Sequence, residues 1–305
     1  MKIQVSTNAV VAKNVDALVR LSYDVPAEQL VIVVHGQAGS GKTTSAASLS
    51  KHWPKTGLPT SKATKANLVL DDLYWISFDL AATVGFRERG ISVPEFSVPS
   101  FIADKKQWIE AGFKQTPSLK EAMTTGLQCL AATAAKGKTK WAVVDTISTL
   151  DRDVLLDEQF KTEDGRRAYG ELYTMHMSFH YALRRLGLNV CYLSHSKYIT
   201  EPVKTNPEAH ANRQKQAVVL SAGSPDVVPA ISGQGQGVYI NDASFMFGLV
   251  AKEPKPGEFS RRLIVNGAKA KVNGLTYATK CRYELSLDAE EPADLGAMLK
   301  KCGLT

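Results

Sequence analysis

The sequence predicts an α/β chain: a mostly parallel central sheet flanked by helices, with a C-terminal β-hairpin. Three observations predict it. Short apolar runs that fit buried strands alternate with stretches of helical periodicity. Four of those runs end in a small, polar or acidic residue, at Gly36, Asp79, Asp145 and His195, and in a parallel sheet such ends line one edge, where ligands gather. The first run passes directly into a glycine-rich loop and then a helix.

That first run, Val31 to Val34, leads into Gly36-Gln37-Ala38-Gly39-Ser40-Gly41-Lys42-Thr43, with Thr44 next and helical periodicity through Ala46, Ala47 and Leu49. The pattern is G-x-x-x-x-G-K-[ST]. Gly36, Gly39 and Gly41 let the backbone turn tightly and aim its N–H groups inward. Those donors and the helix N-terminus suit phosphate oxygens. Lys42 has the reach for the β- and γ-phosphates, and the Thr43 hydroxyl suits Mg²⁺. Residues 36–44 are therefore expected to hold ATP and Mg²⁺. A chance glycine-rich turn is the ordinary alternative, made rare by the strand–loop–helix setting.

The other elements follow in order. Residues 1–27 are poorly patterned and read as an N-terminal arm, residues 28–284 as the core, and residues 285–305 as a C-terminal tail with a short helix. The first helix is expected from about Lys42 to His52, where Pro54, Gly57 and Pro59 interrupt it. Residues 55–67 read as an exposed basic loop. Asp72 to Asp79 is the second strand, followed by a short helix or turn at 80–90. Pro94, Pro99 and Pro117 mark an irregular region, and Ser118-Leu-Lys-Glu121 fits the capping box of a helix to about Ala135. Trp141 to Asp145 is a strand ending in a carboxylate that suits Mg²⁺. Asp151 to Arg167 is highly charged and reads as a mobile surface segment. A long helix, Arg166 to Gly187, carries Leu172, Met175, Phe179 and Leu183 on one face. Asn189 to His195 is a strand with a polar tip. Residues 196–242 lack periodicity and read as a long functional loop, basic at Lys197, Lys204, Arg213 and Lys215 and glycine-rich at 231–237. Ala243–Ala251 and Arg261–Val265 read as the two strands of the hairpin.

Composition narrows the class. The 305 residues are 44% hydrophobic and 22% charged, as in globular chains. No run of eighteen apolar residues predicts a membrane helix, and the N-terminus lacks a signal-peptide core. The four cysteines show no C-x-x-C pairing, which fits buried thiols of a reducing compartment and a cytoplasmic location. A net charge of +7 is compatible with a polyanionic partner, although simple solubility explains it equally well.

The order of these elements resembles the RecA-like P-loop ATPases, and among them the phage-encoded RecA-like proteins of single-strand annealing and recombination. The resemblance spans roughly residues 28–272. In that family the second strand ends in a glutamate that orients the attacking water; Ile76-Ser-Phe-Asp79 occupies the place with a side chain one methylene shorter. An aromatic seven residues on stacks on adenine, which points to Phe86; a core phenylalanine is the other reading. Val143-Val-Asp145-Thr-Ile-Ser-Thr resembles the Mg²⁺ strand, with Thr43 and Asp145 as the metal pair. Leu193-Ser-His195 resembles the strand tip that senses the γ-phosphate, the alternative being a structural histidine. The loops after those two strands bind single-stranded DNA in the family, and here they correspond to Asp151–Arg167 and Lys197–Gly237. A family Lys-x-Lys pair that reaches a neighbour's phosphates is matched in type and place by Lys269 and Lys271; a solvated lysine pair is the plain reading.

The resemblance implies an ATPase acting in phage DNA recombination, annealing or repair, hydrolysing ATP between subunits of a filament or ring. Lys42, Asp79, His195, Lys269 and Lys271 would be catalytic. Single-stranded DNA, further copies of the chain and a single-strand-binding protein would be partners, and no membrane. Tyr198 or Tyr239 could stack on bases, the plain alternative being tyrosines that simply pack. Three alternatives share the loop: a replicative-helicase-like motor, a small-molecule P-loop kinase with Arg184-Arg185 or Arg261-Arg262 as its lid, and a KaiC-like nucleotide switch without DNA.

Overall fold

The computed structural model describes residues 29–54, 67–80, 82–161, 165–199, 225–255, 258–267, 269, 271–272, 274–282 and 287–304. Strand β1 (Val31–Gly36) leads through the glycine-rich loop into helix α1 (Lys42–Ala47). The two-residue strand β2 (Leu68–Val69) precedes β3 (Leu73–Ser77), helix α2 (Val84–Glu88) and strands β4 (Ile91–Ser92) and β5 (Glu95–Ser97). Helices α3 (Val98–Ala103), α4 (Lys105–Glu110) and α5 (Leu119–Ala134) come next, then β6 (Trp141–Asp145) and helices α6 (Ile147–Lys161) and α7 (Gly165–Arg185). Strands β7 (Asn189–Tyr198) and β8 (Val227–Pro229) are followed by helix α8 (Gly233–Asp242). The hairpin β9 (Phe245–Lys255) and β10 (Glu258–Ile264), short strands β11 (Lys280–Cys281) and β12 (Glu290–Pro292), and helix α9 (Leu295–Lys301) complete the chain.

The main sheet runs β12-β10-β9-β1-β7-β6-β3-β5. The six strands from β9 to β5 are parallel, and β10 returns antiparallel on β9. This is a mixed α/β fold with a large, mostly parallel sheet and a C-terminal hairpin, as the sequence predicts.

The strands read as continuous apolar runs because both faces are covered. Alternate residues enter different cores. Val31 and Val33, Tyr74 and Ile76, Ala142 and Val144, and Val190 and Tyr192 face helices α3 to α8. Ile32 and Val34, Leu73 and Trp75, Trp141 and Val143, and Cys191 and Leu193 face α1, α2 and α9. Helix α5 opens on the predicted capping box, with Ser118 and Glu121 each satisfying the other's backbone N–H. Helix α7 buries Leu172, Phe179 and Leu183 as its periodicity predicts.

Four segments differ from expectation. Helix α1 ends at Ala47, not near His52, although 3₁₀-like bonds continue to Ser50. The irregular stretch after Pro94 contains two short helices, capped by Ser97 and Asp104. Most of Asp151–Arg167 is helical, in α6 and the start of α7, with Val154 and Asp151 buried. The glycines at 233–237 open helix α8 instead of lying in a loop. There a Cβ on Gly235 would stand 2.9 Å from the His176 ring, so the missing side chain lets α8 approach α7. The predicted arm at 1–27 and the basic loop at 55–66 lie outside the described residues.

Two glycines test this packing in opposite directions. A Cβ on Gly296, in α9, would collide with the Ser48 carbonyl oxygen, so Gly296→Ala should cost about 1–3 kcal/mol in urea unfolding. Gly170 lies in α7 with open space at its Cβ, so Gly170→Ala should gain about 0.5–1 kcal/mol.

Candidate functional site

The loop after β1 is shaped by close approach. A Cβ on Gly36 would stand 2.5 Å from the Leu249 carbonyl oxygen of β9 and 2.6 Å from Ser40 Oγ. Gly39 and Gly41 hold φ of 75° and 96°, a region that side chains disfavour. Gln37, Ala38 and Gly39 are exposed at the crest, while Ser40 is buried with no hydrogen-bond partner for its Oγ among the described residues. Lys42 Nζ donates to the Gly36 carbonyl at 2.9 Å and the Gln37 carbonyl at 3.0 Å. Burial lowers the Lys42 pKa, opposed by the nearby carboxylates of Asp145 and Asp79.

Asp145 ends β6, two strands from β1, and meets the loop through Thr43. The Thr43 hydroxyl donates to Asp145 Oδ2 at 2.9 Å, and Trp75 Nε1 donates to the same oxygen at 3.4 Å. Burial pushes the Asp145 pKa up to about 6; Thr43 works against the shift, the Asp79 charge adds to it, and Trp75 and Lys42 oppose it. Asp79 follows β3, the next strand. Its Oδ1 accepts from Thr149 Oγ1 at 2.8 Å and its Oδ2 from Thr146 Oγ1 at 3.4 Å.

His195 stands beside Gly36 in the β1–β7 register. Its backbone N–H donates to Ser148 Oγ at 3.0 Å. Burial lowers its ring pKa, as does Lys42, with Asp79 opposing and Arg152 adding. Residues far apart in sequence thus converge on one edge of the sheet: Lys42 and Thr43 from the start of α1, Asp145 from the end of β6, Asp79 from just past β3, and His195 from within β7, which runs on to Tyr198 instead of ending at His195 as the sequence predicts. These are the residues that the sequence marked. Trp75, Thr146, Ser148 and Thr149 also belong here. The run Asp145-Thr-Ile-Ser-Thr149 signalled three of them, and nothing in sequence singled out Trp75.

The donor set fits a nucleotide and Mg²⁺. The partnerless Ser40 hydroxyl, the Lys42 ammonium resting on loop carbonyls and the Thr43–Asp145 oxygen pair are the groups such a ligand would engage.

The adenine-stacking reading of Phe86 and the base-stacking reading of Tyr239 are corrected, and the remaining expectations stand as follows. Phe86 is 4% exposed and its ring meets Trp75 and Trp53 edge-on; it is a core residue and presents no face to a base. Tyr239 is buried with its hydroxyl 2.6 Å from His176 Nδ1, so it cannot stack on DNA; Tyr198 is exposed. Lys197 is exposed, and its ammonium donates to the Ile231 carbonyl at 2.7 Å, tying β7 to the residues before α8. Lys204, Arg213 and Lys215 lie outside the described residues. Lys269 and Lys271 are exposed, and no hydrogen bond or ion pair joins them to the loop of their own chain among the described residues. Lys271 bears electrostatically on Asp226.

Beneath the site, α6, α7 and α8 share a buried polar knot. Asp151 accepts from Ser232 Oγ at 2.8 Å and from the Ser232 N–H, and faces His176 Nε2 at 3.0 Å.

The Asp145 carboxyl carries a pH signature. Its folded pKa, about 6, lies above the unfolded 3.8. The carboxyl therefore costs no stability below about pH 3.8, and the deficit grows as pH rises to about 6. Asp145→Asn should stabilise the nucleotide-free chain by about 1–3 kcal/mol at pH 7 and by little at pH 4, measured by urea unfolding at both.

No protein-family model and no curated protein matches this chain. Among solved structures, the KaiC-like protein PH0186 from the hyperthermophilic archaeon Pyrococcus horikoshii OT3 is similar, with 14% identity and a TM-score of 0.36, over 78% of this chain and 79% of that one. The fold described above stands on strand order and register.

Proposed function

We propose that the chain is a Mg²⁺-dependent ATPase of the RecA-like type, hydrolysing ATP to ADP and phosphate. The observation that carries this reading is the 2.9 Å contact between the Thr43 hydroxyl and the Asp145 carboxylate at the foot of a glycine-rich loop. Phosphoryl transfer requires placement and charge stabilisation more than covalent chemistry. Loop amides and Lys42 would hold the β- and γ-phosphates, with Lys42 exchanging its two carbonyl partners for phosphate oxygens. Magnesium, held by Thr43 and Asp145, would neutralise phosphate charge. Asp79, fixed by Thr149 and Thr146, would orient the attacking water. His195 would read the γ-phosphate side of the site through its place beside Gly36.

The finer reading is that hydrolysis is coupled to single-stranded DNA between subunits of a filament or ring, in recombination, annealing or repair. The net charge of +7 supports it, as does the place of His195 on β7, the strand that enters the segment with Lys204, Arg213 and Lys215. Lys269 and Lys271, exposed and outside their own site, are suited to a neighbour's phosphates. A second reading, a nucleotide switch with negligible turnover, is favoured by one observation. Both Asp79 oxygens already accept hydrogen bonds, which limits their use as a base.

ATP hydrolysis by the purified chain, with and without a single-stranded oligonucleotide, separates these. Lys42→Ala should lower kcat/KM about 10²–10³-fold. DNA stimulation that fades with salt supports the coupled reading. Turnover indifferent to DNA removes the coupling, and tight ATP binding without turnover leaves the switch.

A further inference from the structure

A cation outside the recognised motif leans on the phosphate loop. Arg261 lies on β10, on the same face of the sheet as Leu263, which packs in the core that α1 also enters. That alternation points its side chain toward the start of α1. A Cβ on Gly41 would collide with Arg261 Cδ and stand 2.6 Å from its Nε, so the arginine stem lies against the Gly41 Cα. The strand register gives its height. Leu263 pairs with Leu249, which pairs with Gly36, the last residue of β1. Arg261 pairs with Ala251, two residues or roughly 7 Å beyond that level, where the loop curls over the sheet. The side chain is exposed. No hydrogen bond or ion pair holds its guanidinium among the described residues.

The sheet order sets the direction of approach. β9 and β10 flank β1 on one side; β7, β6 and β3, which carry His195, Asp145 and Asp79, flank it on the other. Lys42 sits between, buried in the loop. A polyphosphate on the loop would have its carboxylates and metal on one side and would meet Arg261 on the other. A guanidinium suits that place: it offers five donors in a planar fork that matches phosphate oxygens, and it stays charged.

We infer that Arg261 is a second phosphate-binding cation, supplied in cis by the C-terminal hairpin, that contacts the phosphate chain of the bound nucleotide. The inference rests on the nucleotide-binding reading of the loop. It makes the hairpin part of the site, so that affinity for the polyphosphate depends on β10 as well as on the loop.

The test is the affinity of the full chain for MgATP, by isothermal titration, in the wild type, Arg261→Met and Arg261→Lys. Methionine keeps the stem against Gly41 and removes the charge; lysine keeps the charge. The expected result is binding about ten- to a hundred-fold weaker in Arg261→Met and a distinctly smaller loss in Arg261→Lys, which keeps the charge but not the fork. Melting of the nucleotide-free proteins should be alike, and the salt dependence of binding should flatten only in Arg261→Met. Arg261→Met binding MgATP as tightly as wild type overturns the inference and leaves the nucleotide reading intact. Equal losses in both variants, with lowered melting temperatures, also overturn it, because they mark a packing role. Absence of MgATP binding by the wild type overturns the nucleotide reading itself, and this inference with it.

Discussion

A carboxylate buried at the top of a parallel sheet is the constraint on which this structure depends. Asp145 is held between a hydroxyl from the loop and an indole from the neighbouring strand. Burial works against its charge and against that of Lys42, and each is eased by the other. Neither group would be worth burying for stability alone, since a well-packed apolar pair would serve as well. Their arrangement makes sense for a site in which an incoming polyanion and cation complete the balance. Lys42 donates to the Gly36 and Gln37 carbonyls, which ties the ammonium to the backbone of its own loop.

The parts of this site that are local in sequence were legible. Gly39 and Gly41 need left-handed backbone, and a motif records such needs at fixed spacing. Asp79 and Asp145 were legible at strand ends, because parallel strands with both faces buried read as apolar runs and stop where polarity begins; β7 departs from this, running past His195 to Tyr198 where it pairs with β8. Of the two readings of Phe86 the core one holds, and the sequence left both open for a complementary reason. Its distance from Asp79 along the chain says nothing about which face α2 turns inward, and that face meets Trp75 and Trp53. Charge content suggested a surface loop at Asp151–Arg167, yet Asp151 is buried by partners 25 and 81 residues away. The glycines of α8 suggested flexibility, whereas Gly235 is a spacer against His176. Long-range polar pairing and close helix approach leave no periodic trace.

The two faces of the sheet divide the work. The face covered by α3 to α8 carries the larger core and the polar knot of His176, Asp151 and Tyr239. The opposite face carries α1, and the C-terminal helix α9 packs there beside it, with the Gly296 N–H donating to Ser48 Oγ. The short α1 is therefore braced from below by the last helix of the chain, which compensates for a helix of six residues too short to be stable alone.

Helix α6 has a mechanical consequence. Its first turn and the residue before it hold the Asp79 carboxylate through Thr146 and Thr149 and the backbone of His195 through Ser148. One turn further on, Asp151 is anchored to Ser232 at the threshold of α8. The helix is thus a short lever with one arm among the strand ends and the other clamped to residues that follow the segment after β7. Asp151 thus ties Ser232 to the same helix whose first turn bonds Asp79 and the His195 backbone.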